Sequence, residues 1–407
     1  MLLISKKFYL VCVLAMANAC SSEVVSSQFP AKRSHKNKKH SSSGEIGNQN
    51  LVQANLPEVN GEIQAVALAS QDIANEANPA DVRYLSIAHQ QSAGWGADDF
   101  KKVSKAINKL FNSLAWQPRL ITIKSIDSGG LLFKIRLSDF GWDANLWNLL
   151  AGSHPAMPDS VKGVPELRRL TGSDKPLLRA DWVIRSASTP PLYYQLLRVP
   201  GDLSTLLNGL KVSVQENIKA GRVIRAGFEK SIVSTNHRVI ERHDLGKGFL
   251  WRSYEFGSKN GNRNIFNFPL GPSENGGGFG DRFPFQQFVS DGSEFYFTLP
   301  NGMIAFYIAG PTGFRINEVP GADDKKITAG ISCFSCHSKA VMPARDEVAT
   351  KTSVSGDSFN EVRRLYVSEQ VFNERLQMDR QLYLTALGEI GIAADDNDPI
   401  NAVVSKK

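Results

Sequence analysis

"SEFYFTL" at residues 293–299 and "MIAFYIA" at residues 303–309 are two runs rich in aromatic and aliphatic residues. Pro300, Asn301 and Gly302 join them, and Asn-Gly is the strongest short turn signal between paired strands. The pair reads as a β-hairpin, and its surroundings read as more of the same sheet. Downstream, "PTG" turns into "FRINEV" at 314–319, expected as a third strand. Upstream, "HRVIERH" at 237–243 and "FLWRSYEF" at 249–256 are expected to pair. The stretch between, residues 257–284 with "SENGGGFG" inside it, reads as a long loop, a feature that is usually functional or mobile.

Further toward the N-terminus the period changes. Phe100, Val103, Ile107, Leu110, Phe111 and Leu114 recur at helical spacing, predicting a helix over 99–115 with Asp98 as its N-cap. "RLITIKS" at 119–125 and "LLFKIRL" at 131–137 read as strands, and "RADWVIRSA" at 179–187 as another. "DANLWNLLAG" at 143–152 reads as a short helix ended by glycine. "TPPLYYQLL" at 189–197 and residues 202–221 also read as helical, as does the segment from residue 358 to 391. The fold class is therefore α+β: a mixed helix and antiparallel-sheet body over 80–325, then a small, mainly helical region over 326–400.

Past the sheet, a polar stretch leads into "CFSCH" at 333–337. The chain has four cysteines, and Cys12 and Cys20 lie near its start, so Cys333 and Cys336 are the only pair in the body. A structural zinc site needs four ligands, usually from a second C-x-x-C or a histidine pair, and no second pair exists. A thioredoxin-like dithiol sits between a strand and a helix of a small α/β domain and needs no histidine directly after it. C-x-x-C-H in an exported protein is the pattern of covalent haem c attachment. Two thiols add across the haem vinyl groups, and the next residue can bring its imidazole to the iron. The expected cofactor is thus one covalent haem c on Cys333 and Cys336, with His337 as proximal iron ligand.

Export is read from the beginning of the chain. Lys6 and Lys7 precede an apolar run from Phe8 to Met16, followed by small residues before Cys20. That is the layout of a signal peptide over 1–19, too short to span a bilayer. Ala17, Asn18 and Ala19 before Cys20 resemble a bacterial lipoprotein cleavage site, although position 17 is more often leucine there. Cys20 is the expected lipidation site, and the alternative is a plain secretory signal. Either leaves the protein exported, in the periplasm or on the outer surface; lipidation would hold it on a membrane by acyl chains.

Residues 20–79 read as a disordered polar and basic tether. The formal net charge is +7. Lys6 and Lys7 supply two of these charges. Lys32, Arg33, Lys36, Lys38 and Lys39 against Glu23 and Glu45 supply three more, so the remaining body carries only two. The basic balance belongs to the N-terminal end and suits a solvated spacer or an anionic surface. No nucleic-acid partner is expected.

"LPNGMIAFYI", "GFRINEVP" and "GISCFSCHSK" together resemble segments of uncharacterised bacterial envelope c-type cytochromes. "DVRYLSIAHQQSAG", "NSLAWQPR", "LWNLL", "HRVIERH" and "WRSYEF" are similar to segments of the same group. The resemblance covers roughly residues 80 to 350, and only the haem motif is chemically specific. It implies a haem c at Cys333 and Cys336 with His337 on the iron, and it leaves the physiological role open.

The second face of the iron separates the functions. A methionine there raises the potential, a second histidine generally lowers it, and an open position admits small ligands. Met378, 41 residues past His337, is the leading distal candidate, although a core role suits its helical surroundings. Met342, His89, His243, His154 and His237 are weaker candidates, and core packing is expected for Met303. Arg242 and Arg252 suit haem carboxylates but read more readily as solvated surface residues. No catalytic residue is assigned. The leading expectation is a lipid-anchored single-electron carrier with an unidentified redox partner protein. The alternative is a haem enzyme or sensor of peroxide or a diatomic gas, and a non-redox binding protein comes third.

Overall fold

The computed structural model describes residues 56–230, 236–256, 264–272, 290–321 and 325–406. The expected signal peptide, Cys20, the tether up to residue 55 and most of the Gly-rich loop lie outside the described residues. Among the described residues no helix is long and apolar enough to cross a membrane.

The hairpin forms as expected: β7 (Ser290–Thr298) pairs with β8 (Ile304–Ala309), with Phe295 opposite Tyr307 and Tyr296 opposite Phe306. Asn301 closes the turn through its side chain, accepting from the Met303 amide at 3.0 Å and donating to the Asn112 carbonyl at 2.9 Å. Gly302 sits at φ +85°, a conformation glycine adopts without steric cost. β4 (Val223–Phe228), β5 (Arg238–Asp244) and β6 (Phe249–Phe256) complete an antiparallel five-stranded sheet in the order β4-β5-β6-β7-β8.

"FRINEV" does not extend this sheet as a full strand. Arg315 makes only an isolated bridge to Ala309, and β9 (Glu318–Pro320) turns away to pair with β10 (Lys326–Thr328). This small ribbon leads straight into the motif helix Ile331–Cys336.

The N-terminal part carries a three-stranded sheet of β1 (Val82–Ser86), β2 (Leu132–Arg136) and β3 (Leu177–Arg179), in the order β2-β1-β3. The helix expected over 99–115 runs Ala97–Ser113 and is capped at Gly96, whose amide donates to the Asp99 carboxylate at 3.2 Å. Its predicted stripe from Phe100 to Leu114 is buried.

Three expectations change. Residues 119–125 form no strand, because the Asn108 and Asn112 side chains of the neighbouring helix hydrogen-bond the backbone of Ile123 and Ile121 in place of a partner strand. "RADWVIRSA" yields the helix Ala180–Ala187, with Ala180, Val183, Ile184 and Ala187 buried on one face. Part of the stretch expected as a tether is ordered: Leu56–Ile73 is a helix that buries Ala65, Val66, Ala69 and Ile73. Small apolar residues carry that face, which makes its signal weak. Tyr84 secures it by donating to Asp72 at 2.7 Å.

The C-terminal region is not a separate unit. One buried cluster runs from Leu85 to Val403 across the boundary expected at 325. Lys109 pairs with Asp398 in the interior, and Arg242 binds Asp379 of the Glu369–Glu389 helix through two contacts of 2.7 and 2.8 Å. Helices thus cover one face of the five-stranded sheet and deliver the motif to it.

Candidate functional site

The motif helix is short and tightly seated. Gly330, at φ +76°, opens it; a Cβ there would lie 2.4 Å from the Ser188 carbonyl oxygen and 3.0 Å from the Tyr193 ring. Only glycine lets the turn approach so closely. The Phe334 amide donates to Gly330 O and the His337 amide to Cys333 O, each at 2.8 Å. Phe334 anchors the helix edge-on against Tyr193 and Phe306, with ring centroids at 5.9 and 5.3 Å. Lys109 lies 5.6 Å above the Phe334 ring. One side of the helix is thereby fixed. Cys333, Cys336 and His337, at i, i+3 and i+4, share the other side.

His337 has a defined tautomer. Its Nδ1 lies 2.9 Å from the Ala340 carbonyl oxygen, which can only accept, so Nδ1 carries the proton and Nε2 keeps its lone pair. A carbonyl on one ring nitrogen is the usual support for a histidine that binds metal through the other. Burial lowers the His337 pKa, opposed by Ala340 and Glu294 and assisted by Arg238. The imidazole is therefore neutral at physiological pH. Its ring rests on the sheet face, 4.8 Å from the Tyr296 centroid and 5.7 Å from Phe306.

Cys333 is a free thiol, and burial pushes its pKa up to about 12, with Glu294 adding to the shift. Cys336 is disulfide-bonded, and since Cys333 is free the two motif sulfurs are not joined to each other. Among the described residues no group of three or more His, Cys, Asp or Glu side chains gathers as a metal cage. A metal on His337 would draw its remaining ligands from a cofactor, and a porphyrin supplies four nitrogens. The motif has the residue types that haem c attachment needs, two sulfurs and one imidazole on one helical face with the imidazole oriented by a carbonyl, provided the Cys336 sulfur is free of its disulfide.

The sheet beside His337 is polar on one side. Register places Arg242, Trp251, Tyr296 and Phe306 in one row across the strands. Two residues along, Ser253, Glu294 and Ile308 form the next row of the same face. That second row borders a cavity of about 230 Å³, lined also by Arg238 and roofed by residues 319–321. Arg238 is 5% exposed and reaches Glu294 at 2.8 Å, yet its Nε has no partner. The Ser253 hydroxyl is also buried and unpaired. Sequence reading missed these residues, although alternation along β7 and the Asn-Gly turn together place Glu294 and Ile308 on the face of Tyr296 and Phe306.

Met378, His243, His89 and His154 are each exposed or engaged with other residues. Met378 is 60% exposed on the outer side of the Glu369–Glu389 helix, with Arg375 as its neighbour. His243 points to the opposite face of the sheet from Arg242, donating through Nε2 to Glu241 at 2.8 Å. His89 is held by Asp181 at 3.2 Å, and His154 accepts from the Arg179 amide. Met303 is fully buried in the core, as expected. Neither arginine is a solvated surface residue: Arg242 is committed to Asp379, and Arg252 is buried 4.1 Å above the Tyr254 ring.

Compared with known proteins, the chain matches no family model, no curated protein and no solved structure.

Proposed function

We propose that the chain is a monohaem c-type cytochrome of the bacterial cell envelope, carrying its haem on Cys333 and Cys336 with His337 on the iron. One observation carries the reading: the two sulfurs and the imidazole share one side of a single helical turn, and the Ala340 carbonyl fixes His337 with Nε2 free to bind. The haem supplies one-electron chemistry when bound. The chain holds it, neutralises the imidazole by burial and shields it with the sheet. A thioether at Cys336 needs that sulfur as a free thiol. An exported chain with a lipid anchor at Cys20 fits a single-electron carrier working with a redox partner protein at a membrane surface.

A second reading is an enzyme or sensor with an exchangeable sixth position, acting on peroxide or a diatomic gas. It is favoured by the placement of Met378, His89 and His243, each exposed or committed elsewhere.

Expression in a bacterial periplasm with haem c maturation tests both. Covalent haem that survives denaturing electrophoresis is expected, and Cys333→Ala or Cys336→Ala should each remove one thioether. A folded protein that leaves maturation with both thiols free and no haem ends the proposal. A reduced spectrum indifferent to carbon monoxide selects the carrier; one that shifts selects the open site.

A further inference from the structure

On the face of the five-stranded sheet opposite His337, one cross-strand row runs Arg225, Glu241, Arg252, Phe295 and Tyr307. The row holds two guanidinium groups and one carboxylate. Glu241 lies directly across from Arg252 in register, yet both of its oxygens are taken elsewhere: Oε2 accepts from Arg225, and Oε1 from His243 and Tyr254. Arg252 is 4% exposed, and its only hydrogen-bond partner among the described residues is a hydroxyl. Its Nε and Nη2 share that one acceptor, Ser293 Oγ, each at 3.4 Å, and its Nη1 has none. The ring centroids of Tyr254 and Phe295 lie 4.1 and 5.1 Å from the guanidinium carbon. They attract the cation but bring no countercharge. Buried charges are paired as a rule, so the partner that Arg252 lacks is an anion.

A small cavity adjoins this cation. It measures about 20 Å³ and is lined by Arg252 and its partner Ser293, by Ser290, and by the turn through Gly310, Pro311 and Gly313. No carboxylate lines it among the described residues. Roughly 10–15 Å³ is enough for one water molecule, so this space takes one small group. A water would satisfy the free N–H and leave the charge uncompensated. An anion does both, and hydrogen bonds between ionised partners are the stronger kind. Leu203 and Gly313 also wall a larger groove of about 640 Å³, which is the usual size of a ligand pocket. Phe314, 66% exposed, borders that groove. A carboxylate seated at Arg252 therefore has space nearby for an apolar body.

We infer that Arg252 and Ser293 form a binding site for one small anionic group, a carboxylate or an inorganic anion. Arg252 Nη1 donates to it, and its charge balances the guanidinium. The site is independent of the haem c reading: it lies on the other face of the sheet and needs neither motif sulfur nor His337.

The test is thermal melting of wild type and Arg252→Met, titrated with sodium chloride, sodium formate and sodium benzoate at equal sodium concentrations. General salt effects act on both proteins, so the difference between them reports the site. An anion that binds only the folded state should raise the wild-type melting temperature by about 2 °C at about ten times its Kd, and further with the logarithm of concentration. Arg252→Met should lack that component. Chloride acting as well as formate identifies a free inorganic-sized anion. Benzoate acting at about tenfold lower concentration than formate, an advantage lost in Phe314→Ala, identifies a carboxylate whose body lies in the groove. The same response to all three salts in both proteins overturns the inference. Should Arg252→Met fail to fold, wild-type crystals grown in bromide decide: an anomalous scatterer against Arg252 Nη1 supports the site, and its absence there overturns it.

Discussion

The two faces of the five-stranded sheet surround buried charge differently, one with a dense side-chain network and the other beside a cavity. On the face away from the motif, Glu241 is fully buried and accepts from Arg225, His243 and Tyr254 at 2.7, 2.8 and 2.8 Å. Arg225 spends its other contacts on the Pro269 and Gly271 carbonyls at 2.9 and 3.0 Å, and Asn217 closes the network on His243 Nδ1. Burial would raise the Glu241 pKa, but Arg225 and His243 outweigh it and hold the carboxyl well below the usual range. Unpaired buried donors occur on both faces: Arg252 Nη1 and the Tyr307 hydroxyl on the Glu241 side, and Arg238 Nε and the Ser253 hydroxyl on the motif side, where they lie around a cavity of about 230 Å³. Period-two alternation puts both on the same strands, so sheet architecture does not cause the difference. A network in which most donors and acceptors are paired helps to specify a fold.

Breaking the closed network should have the largest effect. Glu241→Ala leaves the Arg225 guanidinium buried without its counter-ion and should cost about 3–5 kcal/mol in denaturant-induced unfolding. A loss under about 1 kcal/mol would mean the network contributes little. Acid sharpens the same point. The folded pKa of Glu241 lies below its unfolded value near 4.3, as does that of Asp181 relative to an unfolded value near 3.9. Their stabilisation is fully present above those unfolded values and is lost as pH falls toward the folded ones. Stability measured from about pH 5 downward should therefore fall, and more shallowly in Glu241→Gln.

The motif side should respond less. Asp379→Asn weakens the acceptor shared by Arg242 and the Trp251 indole N–H, which donates at 2.8 Å, and should cost about 1–3 kcal/mol. Ser253→Ala removes a hydroxyl that has no partner and should leave haem-free stability within about 1 kcal/mol of wild type. A larger loss would show that the hydroxyl is satisfied. Met378→Ala should be the smallest change, within about 0.5 kcal/mol and with the visible spectrum unaltered, since the side chain faces solvent. Loss of a long-wavelength band would restore it as a ligand.

Legibility followed how local each cause was. The β7–β8 hairpin was readable because its turn chemistry sits between its strands. Residues 180–187 were misread because a short apolar run fits strand or helix until its packing is known. The 119–125 segment was misread because Asn108 and Asn112, a helix away, take the hydrogen bonds a partner strand would have made. The helix at 56–73 was missed because alanines carry much of its buried face. His243 and Arg242 are adjacent in sequence, yet lie on opposite faces of the sheet.

Residue order alone determined that Cys333, Cys336 and His337 would meet on one side of any helical turn they formed, because helical spacing is a local property of the backbone. It also determined the hairpin before them. Tertiary structure decided what that turn faces: Tyr296 and Phe306 under the imidazole, a cavity with unpaired donors one row away, and Met378 out in solvent. Those outcomes depend on strand register and on which side of a helix meets the sheet, and both are settled by contacts between residues far apart in the chain.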